Sequence, residues 1–214
     1  MSYIEDLHIA KGALQGFPTN WDGKACVLEL KEANYNWMQM EWWGFYFEYI
    51  CTNRLASDFE IPGDKFGTVT FDAKRNINWD FKAKAIKSDD HRSILNDVSA
   101  MNASIEKYGT NGLIVALCDV EYNDINRTFQ KWHTELKGGK SNYELEREQR
   151  TSISRYRKTK VDLQEILFLI VNSENINYLE LHHQGRNSNG RPRPPKYMLN
   201  LESIDHFLVD KIQF

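Results

Sequence analysis

Cysteine, proline and charge of a single sign are all scarce in this 214-residue chain, and each shortage narrows its possible roles. The three cysteines, Cys26, Cys51 and Cys118, lie far apart with no C-x-x-C pair. That argues against a zinc site and points to buried thiols in a reducing cytoplasm. No apolar run approaches the roughly 18 residues that a membrane span needs, and the opening MSYIEDLHIAKG holds no signal-peptide core. A cytoplasmic protein with no membrane partner is therefore expected. Also missing are a Gly-rich phosphate loop, a nucleophile motif and a His/Cys metal cluster, so nothing recommends an enzyme of small molecules. There is no internal repeat and no low-complexity tail. Net charge is only −3, too little of either sign to attract or repel nucleic acid globally.

What is present is apolar and aromatic. Hydrophobic residues make up 41% and aromatics 13%, which argues against disorder and allows a well-buried core in one domain. Charge is unevenly placed. Residues 1–64 hold ten acids and four bases, whereas the remaining 150 hold 20 acids and 23 bases. Affinity for phosphates follows the charges at the contact, so any nucleic-acid role must come from local basic surfaces.

Near the N-terminus GFPTNWDGK reads as a loop, and residues 25–33 fit a short strand or the start of a helix equally well. Residues 36–55, the most aromatic stretch, have helical length, with Asn34 or Asn36 as the N-cap. Glu41 and Glu48 are seven apart and share a face; Gly44 between them would let another backbone approach. Met38 and Met40 sit among Trp37, Trp42 and Trp43 and read as core, an apolar wedge at a base step being the alternative. Residues 91–108 place Ile94, Leu95, Val98, Met101 and Ile105 at helical spacing up to Gly109. GLIVALCDV, residues 112–120, is a continuous apolar run expected as a strand buried on both faces. Residues 125–160 look helical and exposed, interrupted at Gly138 and Gly139, and residues 163–171 read as a second buried strand. Strands are also expected at 177–183 and 196–201. This alternation predicts an α/β fold with a mixed central β-sheet flanked by helices.

Residues 65–85, KFGTVTFDAKRNINWDFKAKA, read as two strands around the turn Ala73-Lys74-Arg75-Asn76. In the second strand Trp79, Phe81, Ala83 and Ala85 alternate with Asp80, Lys82 and Lys84; in the first, Val69 and Phe71 alternate with Thr70 and Asp72. A period of two then carries Asp72, Asp80 and Lys82 out of one face over an apolar underside. Carboxylates suit Mg²⁺, which keeps several waters and takes one or two of them. A lysine beside them can hold or deprotonate the attacking water. Phosphodiester hydrolysis needs this chemistry.

Two segments could bring DNA to such a site. Residues 147–160 hold six bases (Arg147, Arg150, Arg155, Arg157, Lys158 and Lys160) against Glu148, although a solvated face would look the same. Between the two C-terminal strands lies QGRNSNGRPRPP, with Gln184, Arg186, Asn187, Asn189, Arg191 and Arg193 and no acid. Arg matches the guanine edge, and Asn or Gln the adenine edge. Pro192, Pro194 and Pro195 would restrain the loop and lessen the entropy lost on ordering.

FDAKRNINWDFKAKA resembles the active-site hairpin of PD-(D/E)xK nucleases, type II restriction endonucleases above all. The order of an acidic helix, Asp hairpin, helix, central strand and C-terminal DNA-reading region is similar as well. The resemblance implies a restriction-endonuclease-like fold with a catalytic core at about 36–122 and a recognition region at about 140–201. It implies that Asp72 and Asp80 bind Mg²⁺, that Lys82 acts on the water, and that a helix glutamate joins them, either Glu48 or its rival Glu41. Lys84 would contact phosphate, with Arg155, Arg157, Lys158 and the loop residues as further DNA contacts. Phe71 stands where the family has proline before the first Asp, and the second acid is Asp rather than the commoner Glu. The implied activity is Mg²⁺-dependent cleavage of double-stranded DNA at a short palindrome by a homodimer. A repair or junction-resolving nuclease and a non-catalytic DNA-binding protein are the alternatives.

Overall fold

The computed structural model describes residues 3–62, 70–87, 90–122, 126–140, 142–148, 156–185 and 190–214. Its elements in chain order are α1 (Tyr3–Leu14), β1 (Asn20–Asp22), α2 (Gly23–Glu32), α3 (Trp42–Leu55), β2 (Ala73–Lys74), β3 (Asn78–Ala85), β4 (Arg92–Asp97), α4 (Val98–Tyr108), β5 (Thr110–Glu121), α5 (Thr128–Leu136), α6 (Asn142–Glu148), β6 (Lys160–Asn172), β7 (Glu180–His182), β8 (Lys196–Asn200) and β9 (Leu208–Gln213). The fold is α/β, with a mixed central sheet flanked by helices. That sheet has six strands in the order β1-β6-β5-β3-β2, and β9 pairs with β6 beside β1. Among the described strands only β3 and β5 run parallel, joined by a crossover through β4 and α4. β4, β8 and β7 make a second, three-stranded sheet. None of the described helices is long and apolar enough to cross a membrane.

The continuous apolar run in β5 follows from burial on both faces. Ile114, Ala116, Cys118 and Val120 join a core with α1, α2 and α3, while Leu113 and Val115 join a second core with Leu95, Met101, Leu199 and Phe207. β6 shows the same division with one change of phase. Val161 and Leu163 face the helical core, and so do Ile166, Phe168 and Ile170, while Leu167, Leu169 and Val171 face the other. The switch from odd to even positions is made by a β-bulge. Leu117 pairs with Glu165 and Cys118 with Leu163, leaving Gln164 as the extra residue. There β6 also exchanges partners, from β1 at residues 160–162 to β9 from Glu165 onward.

Several expectations shift. Of the two readings of residues 25–33 the helix holds: residues 25–32 lie in α2 with Ala33 as its C-cap, and Asp22 caps its start by accepting a hydrogen bond from Ala25 N–H at 3.0 Å. α3 starts at Trp42 instead of residue 36, because Asn34 and Asn36 sit in the left-handed region (φ 53° and 40°) and cannot lie in its first turn. No backbone approaches Gly44: a Cβ built there would meet nothing within 4 Å. The helix expected over 91–108 divides into β4 and α4. The apolar spacing of its first half serves a strand held by β8, with Ser93 opposite Leu199 and Ile94 opposite Met198. α4 ends as expected at Gly109, whose N–H donates to Ile105 O at 2.7 Å and whose left-handed φ of 80° turns the chain out of the helix. In the hairpin, Ala73 and Lys74 are strand rather than turn, pairing with Trp79 and Asn78. Residues 63–69, with Lys65 and Val69, lie outside the described residues.

The hairpin turn is tethered from α1. Asp6, fully buried, accepts from Asn76 N–H (3.0 Å), Asn76 Nδ2 (2.7 Å), Ile77 N–H (3.2 Å) and Trp79 Nε1 (3.2 Å). A carboxylate satisfied by four donors is tolerable in the core, and it fixes where β3 begins.

A candidate acidic site where two strands part

Asp72 stands at the point where β2 leaves β3. Its N–H donates to Trp79 O at 2.9 Å. The N–H of Phe81, two residues further along β3, donates to Asp72 Oδ2 at 2.6 Å instead of to a backbone carbonyl. A side chain thus takes over a ladder bond, and the carboxylate is lodged in the notch between the strands. Alternation along β3 does the rest. Trp79, Phe81, Ala83 and Ala85 enter the helical core, so Asp80, Lys82 and Lys84 take the other face.

On that face Asp80 is only 3% exposed. Its Oδ1 accepts from Asn96 Nδ2 at 3.0 Å and its Oδ2 from Asn111 Nδ2 at 3.2 Å. Burial pushes its carboxyl up to about 7, with the Asp72 charge adding to the rise and Lys82 and the two amides opposing it. Lys82 Nζ donates to Phe81 O at 2.9 Å and lies 3.9 Å from Asp72 Oδ2. Burial disfavours its ammonium form, but Asp72, Asp80 and Glu48 outweigh that and hold its pKa above the ordinary lysine value. It is therefore a cation at neutral pH.

Of the two candidate glutamates, Glu41 stands at the N-cap before α3, and Glu48, on that helix, is the one whose charge is felt at this place. Burial and the nearby Asp72 raise its carboxyl, while the Tyr35 hydroxyl and Lys82 oppose the rise. Tyr35 Oη donates to Glu48 Oε1 at 2.6 Å. Glu41 faces elsewhere. It pairs with Lys158 and accepts from Trp43 Nε1 at 2.8 Å; burial opposes its ionisation, but Lys158 and Trp43 bring its carboxyl below the usual range.

The basic candidates divide. Lys84 donates to Asp90 O and to Arg92 O (2.8 Å for the latter), and burial lowers its pKa. Lys158 lies over the rings of Trp43 and Tyr122 at 4.9 and 5.6 Å, besides pairing with Glu41. Arg157 is buried, its guanidinium 3.9 Å from Glu144 Oε1. All three are bound into the fold. Arg191 and Arg193 are exposed and Gln184 is half-buried. Arg155, Arg186, Asn187 and Asn189 lie outside the described residues. Met38, expected in the core, is 54% exposed, and Met40 is half-buried.

The loop between β7 and β8 springs from the end of the second sheet nearest the acids. Lys196 pairs with both Asp97 and His182, and Val98 N–H donates to Pro195 O at 3.1 Å. Asn96, adjacent to Asp97, is the residue on Asp80. Sequence reasoning missed Asn96, Asn111 and Tyr35. Each meets its carboxylate across 13 to 31 residues of chain, and no local pattern marks such a pairing.

Three acids sharing one lysine leave an excess of negative charge that a cation would relieve. The donors are hard oxygens, and the amides on Asp80 hold it without neutralising it. Among the described residues no group of three or more His, Cys, Asp and Glu stands in metal-holding geometry. The arrangement suits a Mg²⁺ ion that retains most of its waters and takes one or two carboxylates, and it does not suit a dehydrated protein cage. No family model, curated protein or solved structure matches the chain.

Proposed function

We propose that this chain is a Mg²⁺-dependent endonuclease on double-stranded DNA, of the PD-(D/E)xK type with a restriction-endonuclease-like fold. The observation that carries the reading is the meeting of Asp72, Asp80, Lys82 and Glu48 from a strand notch, a strand face and a helix.

Asp72 and Asp80 are the residues that would hold the metal. Mg²⁺, when bound, supplies a Lewis acid for a phosphate oxygen and makes water easier to deprotonate. Lys82, an ammonium at neutral pH, donates to a phosphate oxygen or to the attacking water and fixes its position. Its cationic state makes it a poor base. Glu48 suits that task better, because a raised carboxyl pKa brings its basicity closer to neutral pH. With Tyr35 on Oε1, Oε2 is the atom to take the proton. Arg191, Arg193 and Gln184 would meet the DNA from the adjoining loop. Cutting both strands of a palindrome at equivalent positions calls for a two-fold homodimer.

The test is digestion of a phage genome in Mg²⁺ and, separately, in Ca²⁺. Discrete bands that need Mg²⁺ are expected, and Asp80→Ala or Lys82→Ala should abolish them while DNA binding persists. Full activity in either variant would sink the site assignment. No cleavage of any duplex would favour a non-catalytic DNA-binding protein, and preference for branched DNA a junction-resolving enzyme.

A further inference from the structure

We propose that Asn96 is a positioning residue that aims the Asp80 carboxylate at a divalent cation and ties it to the base of the β7–β8 loop. The inference rests on the nuclease reading for what the cation does, but not for whether it binds.

The orientation of the Asn96 amide follows from its neighbours. Its Oδ1 accepts from the backbone N–H of Asp97 at 2.8 Å, a group that can only donate. Its Nδ2 donates to Asp80 Oδ1 at 3.0 Å and to Thr70 O at 3.1 Å, both of which can only accept when Asp80 is ionised. Turning the amide over would break all three bonds. One side chain therefore fixes three things at once: its own strand, the Asp80 carboxylate, and the backbone two residues before Asp72. With Asn111 on the other oxygen, the plane of the carboxylate is set. Each oxygen keeps a lone pair for a cation, and the neutral donors leave the charge undiminished.

The two amides differ in origin. Asn111 belongs to β5, the strand beside β3 in the same sheet, and can only report on that sheet. Asn96 comes from the second sheet. Immediately beyond it, Asp97 Oδ1 lies 3.3 Å from Lys196 Nζ, and Val98 N–H is bonded to Pro195 O at 3.1 Å. A displacement of the loop's base at Pro195 and Lys196 is thereby passed through two residues of backbone to the amide on Asp80. Asn96 is the described side chain that spans from that base to an acid of the site.

Mn²⁺ binding by the full-length protein, read from the electron paramagnetic resonance of the free ion, tests this without DNA. Wild type is expected to bind, and Asp80→Asn to lose the site. Asn96→Ala should weaken binding by roughly ten- to a hundredfold, as loss of a partner that orients a ligand does. Asn96→Ser, which keeps an acceptor near Asp97 but is too short for Asp80, should match it and serves if the alanine variant folds poorly. Lys196→Met should weaken binding in the wild-type background and have no effect beside Asn96→Ala. Wild-type affinity in both Asn96 variants, or no Mn²⁺ binding by wild type, overturns the positioning role. An equal effect of Lys196→Met in both backgrounds overturns the link to the loop. The expected Mn²⁺ losses without cleavage of any duplex would remove the nuclease reading and leave Asn96 its role. Mg²⁺-dependent cleavage with Mn²⁺ affinity indifferent to Asn96 would do the reverse.

Discussion

Asp80 carries a cost that its neighbours reduce without removing. Its folded carboxyl titrates near 7, whereas an unfolded one titrates near about 4. The fold therefore binds that proton more tightly than the unfolded chain does. This group's penalty is absent below about 4, grows as pH rises, and is complete above about 7. Asp80→Asn removes this pH-dependent penalty but turns an amide N–H toward Asn96 or Asn111, so its stability relative to wild type should rise by on the order of a few kcal/mol from pH 4 to pH 8. Thermal unfolding at the two pH values checks this, and equal shifts at both would contradict it. If Asp80 holds the metal as proposed, activity should be lost in the same variant. Tyr35→Phe isolates the other carboxylate. It deletes a hydroxyl donated to Glu48 at 2.6 Å, and a hydrogen bond to a charged group is worth about 1.5–3 kcal/mol. Without it the Glu48 carboxyl rises further, so the acidic limb of the kcat–pH profile should move to higher pH with DNA affinity in Ca²⁺ unchanged; a change confined to KM would place Tyr35 on the DNA instead. Strand alternation made Asp80 and Lys82 legible, since a period of two needs only neighbours. The same alternation was expected at Asp72, but residues 70–72 are not strand, and Asp72 is held just before β2 by the N–H of Phe81. The amides and the phenol were not legible, because hydrogen bonds across distant segments leave no local pattern.

At the scale of elements, β5 was readable from its unbroken apolar run, and the structure extends it only to Thr110–Glu121. Within it Gly112 has a specific task. It pairs with Trp79, and a Cβ there would fall 2.3 Å from the fully buried indole. Gly112→Ala should destabilise the protein by about 1–3 kcal/mol through overpacking beside Asp80. Urea unfolding measures this, and an unchanged midpoint would mean that the indole has room to move. β4 was misread because Ile94, Leu95, Val98 and Met101 satisfy helical spacing, and only β8, some hundred residues later, tips the first half into a strand. β9 went unread altogether: its pairing with β6 is non-local, and its own alternation spans only six residues.

For the molecule as a whole, the mixed α/β sheet could be inferred from the succession of strands and helices, but its strand order could not. The second sheet draws on residues 92–97, 180–182 and 196–200, which no window along the chain sees together. Its position decides how DNA would be met, because the loop bearing Arg191 and Arg193 rises from the end that also supplies Asn96. If both arginines neutralise phosphates, replacing them with alanine should weaken binding to cognate and random duplexes alike and lower the slope of log affinity against log salt by about 2. Titration at several salt concentrations reads this. Loss on the cognate duplex alone would assign them to base edges, and no change would discharge the loop from binding.

Gln164 adds a constraint of a different kind. It is exposed, and it serves as a spacer between two stretches of β6 whose inward faces are out of phase. Its chemistry is therefore nearly free to vary while its presence is not. Removing that single position would turn Ile166, Phe168 and Ile170 toward the partners of Leu167, Leu169 and Val171, and the reverse, exchanging the contents of both cores at once. At this point in the chain the fold tolerates a change of letter but not a change of count.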